Sequence, residues 1–124
     1  VCEPYIRRKA VHHLNLGRVV IFAGGTGNPF FTTDTTATLR ALEVGADAIL
    51  MGKNGVEGVY DSDPRKNPNA KFLKHLSFQE VVEKKLVAML EESNIVIHVF
   101  NMDTPSSVVS VLSGHEIGST ISKE

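Results

Sequence analysis

Apolar positions along the chain fall into two rhythms that take turns. Over residues 4–14 they recur at Tyr5, Ile6, Ala10, Val11 and Leu14, the spacing of one helix face. Pro4 suits a first helical position and Gly17 an exit. The run "RVVIFA" over residues 18–23 is continuous, apolar and rich in β-branched side chains, which predicts a strand buried on both faces. A glycine-rich loop, residues 24–31, leads into a helix over Thr33–Val44, with Thr32, Thr33 and Asp34 as N-cap candidates and Gly45 as its close. "ADAILMG" from Ala46 predicts the next buried strand. Residues 54–69 form a long connection punctuated by Gly55, Gly58, Pro64 and Pro68. Ser77-Phe78-Gln79-Glu80 is a capping box, so a helix begins there. "IVIHVFN" from Ile95 predicts a third strand, Thr104-Pro105 opens a helix that ends near Gly114, and "GSTI" is a short last strand.

Helix and strand in alternation predict an α/β domain: a mainly parallel sheet with helices on its faces, joined by right-handed crossovers. Ligands of such sheets bind beyond the carboxyl ends of the strands. Two loops leave those ends and carry unusual chemistry, residues 24–33 and residues 53–63.

Composition narrows the classes. A chain of 124 residues is one modest domain or a piece of one, and 42% apolar content is enough for a packed core. A formal charge of −1 argues against a nucleic-acid partner held by charge alone. The run Arg7-Arg8-Lys9 reads as a solvated helix face. Cys2 is the single cysteine, which excludes a disulfide framework and gives no catalytic thiol, since no basic residue adjoins it. His12, His13, His75, His98 and His115 lack metal-ligand spacing, and His98, inside a strand pattern, reads as a hydrogen-bonded core or edge residue. No apolar stretch is long enough to span a membrane, and Glu3-Pro4-Tyr5 followed by basic residues is not a signal peptide. The expectation is a soluble protein of a reducing, cytoplasmic compartment. A start without Met adds the expectation that residues precede Val1.

The first loop joins four properties. Glycines after a strand allow positive φ and close approach of backbone to a ligand. A helix start offers unpaired N–H groups and a positive dipole end to an anion. Thr32, Thr33, Thr35 and Thr36 add hydroxyls without charge, and Asn28 adds a donor and an acceptor. Phe30 and Phe31 can wall a base or a sugar. This is a pocket for a phosphorylated small molecule, or else a packed turn with capping threonines and core phenylalanines; spacing alone leaves both open. Asp34 does not suit direct phosphate contact, so it caps the helix or sits near a metal ion or cation. In the second loop, Tyr60 can stack on a base, and Asn54 and Asp63 can bond a ribose or an exocyclic amine; the alternative is a turn-rich surface loop with Asp61 and Asp63 as turn formers. Asp103, Ser106 and Ser107 read most simply as caps.

"GTGNPFFTTDTTATLRALE", "EPYIRRKAVHHLNLGRVVIFAGGTGNPFFTTDT", "GVYDSDPRKNPNAKFLKHLSFQEV" and "IVIHVFNM" resemble, in order and spacing, the bacterial UMP kinases (uridylate kinases) of the amino-acid-kinase superfamily. The similarity covers nearly the whole chain. It implies a three-layer αβα sandwich of the amino-acid-kinase (carbamate-kinase-like) type, of which residues 1–124 are the carboxyl-terminal part. It implies a nucleoside monophosphate kinase of pyrimidine biosynthesis that converts UMP and ATP to UDP and ADP with Mg²⁺. Thr26, Gly27, Asn28, Pro29, Phe30, Phe31, Thr32 and Thr33 would then line the UMP pocket, and Asn54, Tyr60 and Asp63 would contact ATP. A cytoplasmic homohexamer with GTP and UTP as effectors also follows from the resemblance alone.

The departures from that pattern matter too. Glu57 stands where the family's "VDGVY" has aspartate, and "FNMDTPS" stands for "FNMNxPG". The family's amino-terminal "KxSGE" lysine segment and its "GGGN" stretch do not occur, so no catalytic or metal-binding residue is assigned within this chain and the fragment alone is expected to be inactive. Between Leu86 and Val87 a segment of the "KVMDxTA" kind is absent, as a loop left out or as a true deletion. Two other functions stay open: a different kinase of the superfamily acting on a carboxylate or carbamate, and a non-catalytic nucleotide- or oxyanion-binding protein of the same fold.

Overall fold

The computed structural model describes residues 2–82, 90 and 93–123. Helix α1 is Arg7–Asn15 and α2 is Thr33–Val44. Strand β1 is Ala48–Lys53, followed by the short strands β2 (Val59–Tyr60), β3 (Phe72–Leu73) and β4 (His75–Ser77). Helix α3 is Phe78–Val82, β5 is Val96–Asn101, α4 is Ser107–Leu112 and β6 is Ser119–Ser122. The junction of Leu86 and Val87 lies outside the described residues.

Local chemistry sets the helix ends. Thr32 caps α2, its Oγ1 accepting the Thr35 N–H at 3.2 Å, and Gly45 closes it in the left-handed region at φ 70°. The Ser77–Glu80 box forms as the sequence predicts: Glu80 Oε2 accepts from the Ser77 N–H at 2.8 Å and the Ser77 hydroxyl at 2.9 Å. That donated N–H, more than any other contact, holds the Glu80 carboxyl below its ordinary pKa. Helix α1 starts three residues after Pro4, at Arg7. Arg7 is not merely solvated, because its Nε donates to the Glu43 carbonyl while the Tyr5 hydroxyl donates to the Glu43 carboxylate. Arg40 completes this tie between α1 and α2, 2.7 Å from Glu43 and 3.9 Å above the Tyr5 ring.

Among the described residues the main sheet has four strands in the order β1-β5-β6-β4. β1 and β5 are parallel from Ala48↔Val96 to Lys53↔Asn101, β4 and β6 are parallel, and β5 and β6 are antiparallel. The sheet is therefore mixed and mainly parallel, an α/β arrangement. Ile49, Ile97, Val99 and Ile121 meet Ala41 of α2 and Phe78 and Val81 of α3 in one buried core. Ile97 is 1% exposed and Phe78 2%, and a fully buried side chain of this size contributes about 1.5–3 kcal/mol.

Two strand expectations need correction. Residues 18–23 form no strand: Val19 is 93% exposed and Ile21 87%. Strand propensity reflects fit to a pleated surface, and among the described residues no strand pairs with this run. Its one aromatic anchor is Phe22, edge-on to Tyr5 with centroids 5.7 Å apart. β1 is likewise only half buried, because it lies at the edge of the sheet, and Ile49 is its single buried residue. The connection over residues 54–69 also contains a strand that the turn residues concealed, β2, which pairs antiparallel with β3. His98 has the partner expected of it, with Nδ1 3.4 Å from the Thr120 hydroxyl.

Candidate functional site

Helix α2 runs back along the sheet and the chain then returns through β1. The start of α2 and the end of β1 therefore share one edge, and both candidate loops emerge there. Lys53, the last residue of β1, reaches Asp34 in the first turn of α2, with Nζ 2.6 Å from Oδ2. Their side chains stay 36% and 29% exposed. A pair so hydrated is worth on the order of 1 kcal/mol or less to stability, so its importance lies in placement. Of the roles open to Asp34, the structure selects proximity to a cation.

The first loop stands open to solvent. Gly25 (φ 65°) and Gly27 (φ 76°) take left-handed backbone. Phe30 does so as well at φ 67°, a strained position for an aromatic residue, and its ring is fully exposed. Phe31 is 59% exposed, so neither phenylalanine is core. Thr26 Oγ1 accepts the Asn28 N–H at 3.1 Å, which stiffens the turn ahead of Pro29. Thr32 has a local duty as the cap, and its hydroxyl also lies 3.0 Å from that of Thr35. A hollow of about 640 Å³ opens between the loop, α2 and β1, bordered by Phe22, Gly25, Thr33, Thr36, Arg40 and Ile49 among others. Of the eight residues proposed for the acceptor pocket, only Thr33 borders it; Thr26 is half buried and residues 27–32 are exposed.

The second loop places its three candidates differently. Asn54 is exposed beside Lys53. Tyr60 is half buried on β2, edge-on to Phe72 with centroids 5.4 Å apart. Asp63 is a turn former: its Oδ1 accepts the Arg65 N–H at 3.0 Å and lies 3.5 Å from the Arg65 guanidinium. Asp61 is one too, accepting the Lys71 N–H at 2.8 Å, the principal cause of its lowered pKa. The hairpin carrying Tyr60 is fastened by Ser119, fully buried on β6, whose hydroxyl accepts the Val59 N–H at 2.9 Å and donates to the Leu73 carbonyl.

A third loop, after β5, was not anticipated. Asp103 is no helix cap; it accepts the Gly55 N–H at 2.8 Å. Asn101 Nδ2 donates to Glu57 Oε1 at 2.9 Å, and the Met102 N–H donates to the Lys53 carbonyl at 2.8 Å. Ser106, also read as a cap, makes no capping bond and takes φ 63°. Two of the positions that depart from the family pattern, Glu57 and Asp103, thus belong to one clasp around the second loop. Lys53 with Asp34 offered only opposite charges 19 residues apart, at the end of β1 and the start of α2. Asp103 offered no signal, because its partner is 48 residues away.

Among the described residues no three His, Cys, Asp or Glu side chains converge as a metal site, and no helix is long and apolar enough to cross a membrane. Residues 1–101 match the amino acid kinase family. The chain is 52% identical to a uridylate kinase of Limosilactobacillus reuteri, over 98% of this chain and 53% of that protein. It is also 52% identical to a uridylate kinase of Deinococcus radiodurans, over 98% of this chain and 52% of that one. The crystal structure of UMP kinase from Bacillus anthracis superposes with a TM-score of 0.87 at 41% identity, covering 98% of this chain and 53% of its own. The chain thus spans about half the length of the relatives it matches.

Proposed function

Because this chain belongs to the amino acid kinase family, we propose that the protein it forms part of is a UMP kinase, transferring the γ-phosphoryl group of ATP to UMP. An oxygen of the UMP phosphate forms a bond to the γ-phosphorus. The bond from that phosphorus to the β,γ-bridging oxygen breaks in line, and UDP and ADP leave with no net redox change. Such transfer depends on positioning and on charge stabilisation. Thr26, Gly27, Asn28, Pro29, Phe30, Phe31, Thr32 and Thr33 hold UMP through amides, hydroxyls and an aromatic wall, and Asn54, Tyr60 and Asp63 hold ATP. The carrying observation is the likeness to uridylate kinases over 98% of the chain, with "GTGNPFFTTD" intact at the solvent-open start of α2.

Mg²⁺ fits this reading as an ion that arrives on the nucleotide. The nearby carboxylates are engaged, Asp34 by Lys53 and Asp63 by the Arg65 N–H, and among the described residues no resident cage forms. Mg²⁺ binds mainly to phosphates and keeps several waters, and when bound it offsets charge on the β- and γ-phosphates. The family likeness further supports a cytoplasmic homohexamer with GTP and UTP as effectors.

Acceptor choice tests the proposal. The full-length protein, supplied with ATP and Mg²⁺, is expected to release ADP with UMP and to leave aspartate, glutamate and carbamate untouched. Turnover of a carboxylate or carbamate without UMP overturns it in favour of another kinase of the fold. Binding of UMP and ATP without turnover overturns it in favour of a binding protein.

A further inference from the structure

Phosphoryl transfer needs cations around the moving group, and the "KxSGE" lysine segment of the family pattern does not occur in this sequence. The fold supplies a cation from an unremarked place. Lys53 stands at the carboxyl end of β1, where ligands of parallel sheets bind; the second candidate loop begins with it, and its ammonium meets Asp34, just after the first. We infer that Lys53 is a catalytic cation that contacts the phosphoryl group in transfer, and that Asp34 is the positioning residue that aims it. This inference rests on the UMP kinase reading above.

Three observations carry it. A lysine ammonium has three N–H donors, and among the described residues Asp34 engages one at 2.6 Å, which leaves two for phosphate oxygens. The pair is neither sealed nor free: with side chains 36% and 29% exposed, both groups are held in place yet reachable by a ligand. The backbone beneath Lys53 is fixed as well, since its carbonyl accepts the Met102 N–H and the next loop residues are clasped by Asp103 at Gly55. A lysine held at its base and its tip spends little of its rotamer freedom when a phosphate arrives. Asp34 then serves as the local counter-charge that keeps the ammonium extended toward the first loop while no anion is bound. A purely structural tie would need none of this access, and its loss would register in stability alone.

The test compares Lys53→Met, Lys53→Arg, Asp34→Asn and the double variant Lys53→Met/Asp34→Asn in the full-length protein, by steady-state kinetics and thermal unfolding. Wild-type turnover of UMP is checked first, because its absence sinks the UMP kinase reading and not this assignment. Lys53→Met is expected to lower kcat about 100-fold, the scale of removing one stabiliser of transition-state charge, with KM for UMP changed less than threefold. Lys53→Arg is expected to recover activity to within about tenfold of wild type, since the charge remains while the point geometry is lost. Asp34→Asn is expected to lower kcat by less than Lys53→Met. The double variant is expected to be no slower than Lys53→Met alone, because a positioning residue has nothing left to position. A Lys53→Met protein that keeps kcat within threefold of wild type overturns the inference. So does a fall in activity that tracks a fall in Tm, or a double variant in which the two losses multiply.

Discussion

Removing one oxygen atom should loosen the loop that carries Tyr60. Ser119 is fully buried, and its hydroxyl joins the Val59 N–H to the Leu73 carbonyl across the β2–β3 hairpin. Alanine at 119 keeps the strand and deletes both bonds. A typical internal hydrogen bond contributes about 0.5–1.5 kcal/mol, and a buried group left unpaired costs about 1–3 kcal/mol. Gly58 packs so closely on Ser119, where an added Cβ would lie 2.5 Å from its Oγ, that a water molecule has little room to take over the bridge. The expected loss is therefore about 2 kcal/mol for Ser119→Ala, or about 4–8 °C in Tm for a protein of 150–250 residues. Hydrogen exchange separates the mechanism from general damage. The Val59 amide should exchange faster by far more than the amides of α1, which packs against α2 and not against the hairpin. KM for ATP should rise with KM for UMP unchanged. If Tm moves by less than 1 °C while Val59 keeps its protection, the hydroxyl does not fasten the hairpin and the argument fails.

Other outcomes follow from separate features. Thr33→Val should weaken UMP binding about tenfold by removing a hydroxyl from the candidate pocket, while Tm holds, because the cap is Thr32 and not Thr33; calorimetric titration with unchanged affinity removes Thr33 from the pocket. Gly118→Ala should destabilise by about 3 kcal/mol or more, since a Cβ there would lie 2.0 Å from the Val99 carbonyl at φ 72°; an unchanged urea midpoint would refute it. The Glu80 carboxyl has a folded pKa below its ordinary 4.5, so its stabilisation is complete above that value and is lost as pH falls through the lower one. Wild type and Glu80→Ala should therefore differ in urea midpoint at pH 7 and converge as pH falls through the lowered folded value, and a gap that persists in acid refutes the linkage.

What could be read from the sequence was whatever neighbours in the chain decide. Thr32, Gly45 and the Ser77–Glu80 box act within a few residues, and they bound α2 and α3 where the pattern put them. β5 was legible because it pairs on both sides and its apolar run is needed. Residues 18–23 carry the same kind of run, but burial belongs to a paired strand, and propensity cannot supply a partner. At the site, the glycines and the cap were readable, but an open loop and a packed turn could be told apart only by the exposure of Phe30 and Phe31. Asp103 was misread because a carboxylate near a helix start looks like a cap until a distant N–H claims it. Lys53 drew no role from the sequence, because only the return of β1 beside the start of α2 shows what it faces.

The order of the sheet sets a schedule for making it. β6 comes after every strand it touches, yet it lies between β5 and β4. Until the ribosome has released it, those two neighbours each present a bare row of amides and carbonyls to other nascent chains. The keystone is laid after both of its neighbours, so a polypeptide halted just short of it should be a far better aggregation seed than one that includes it.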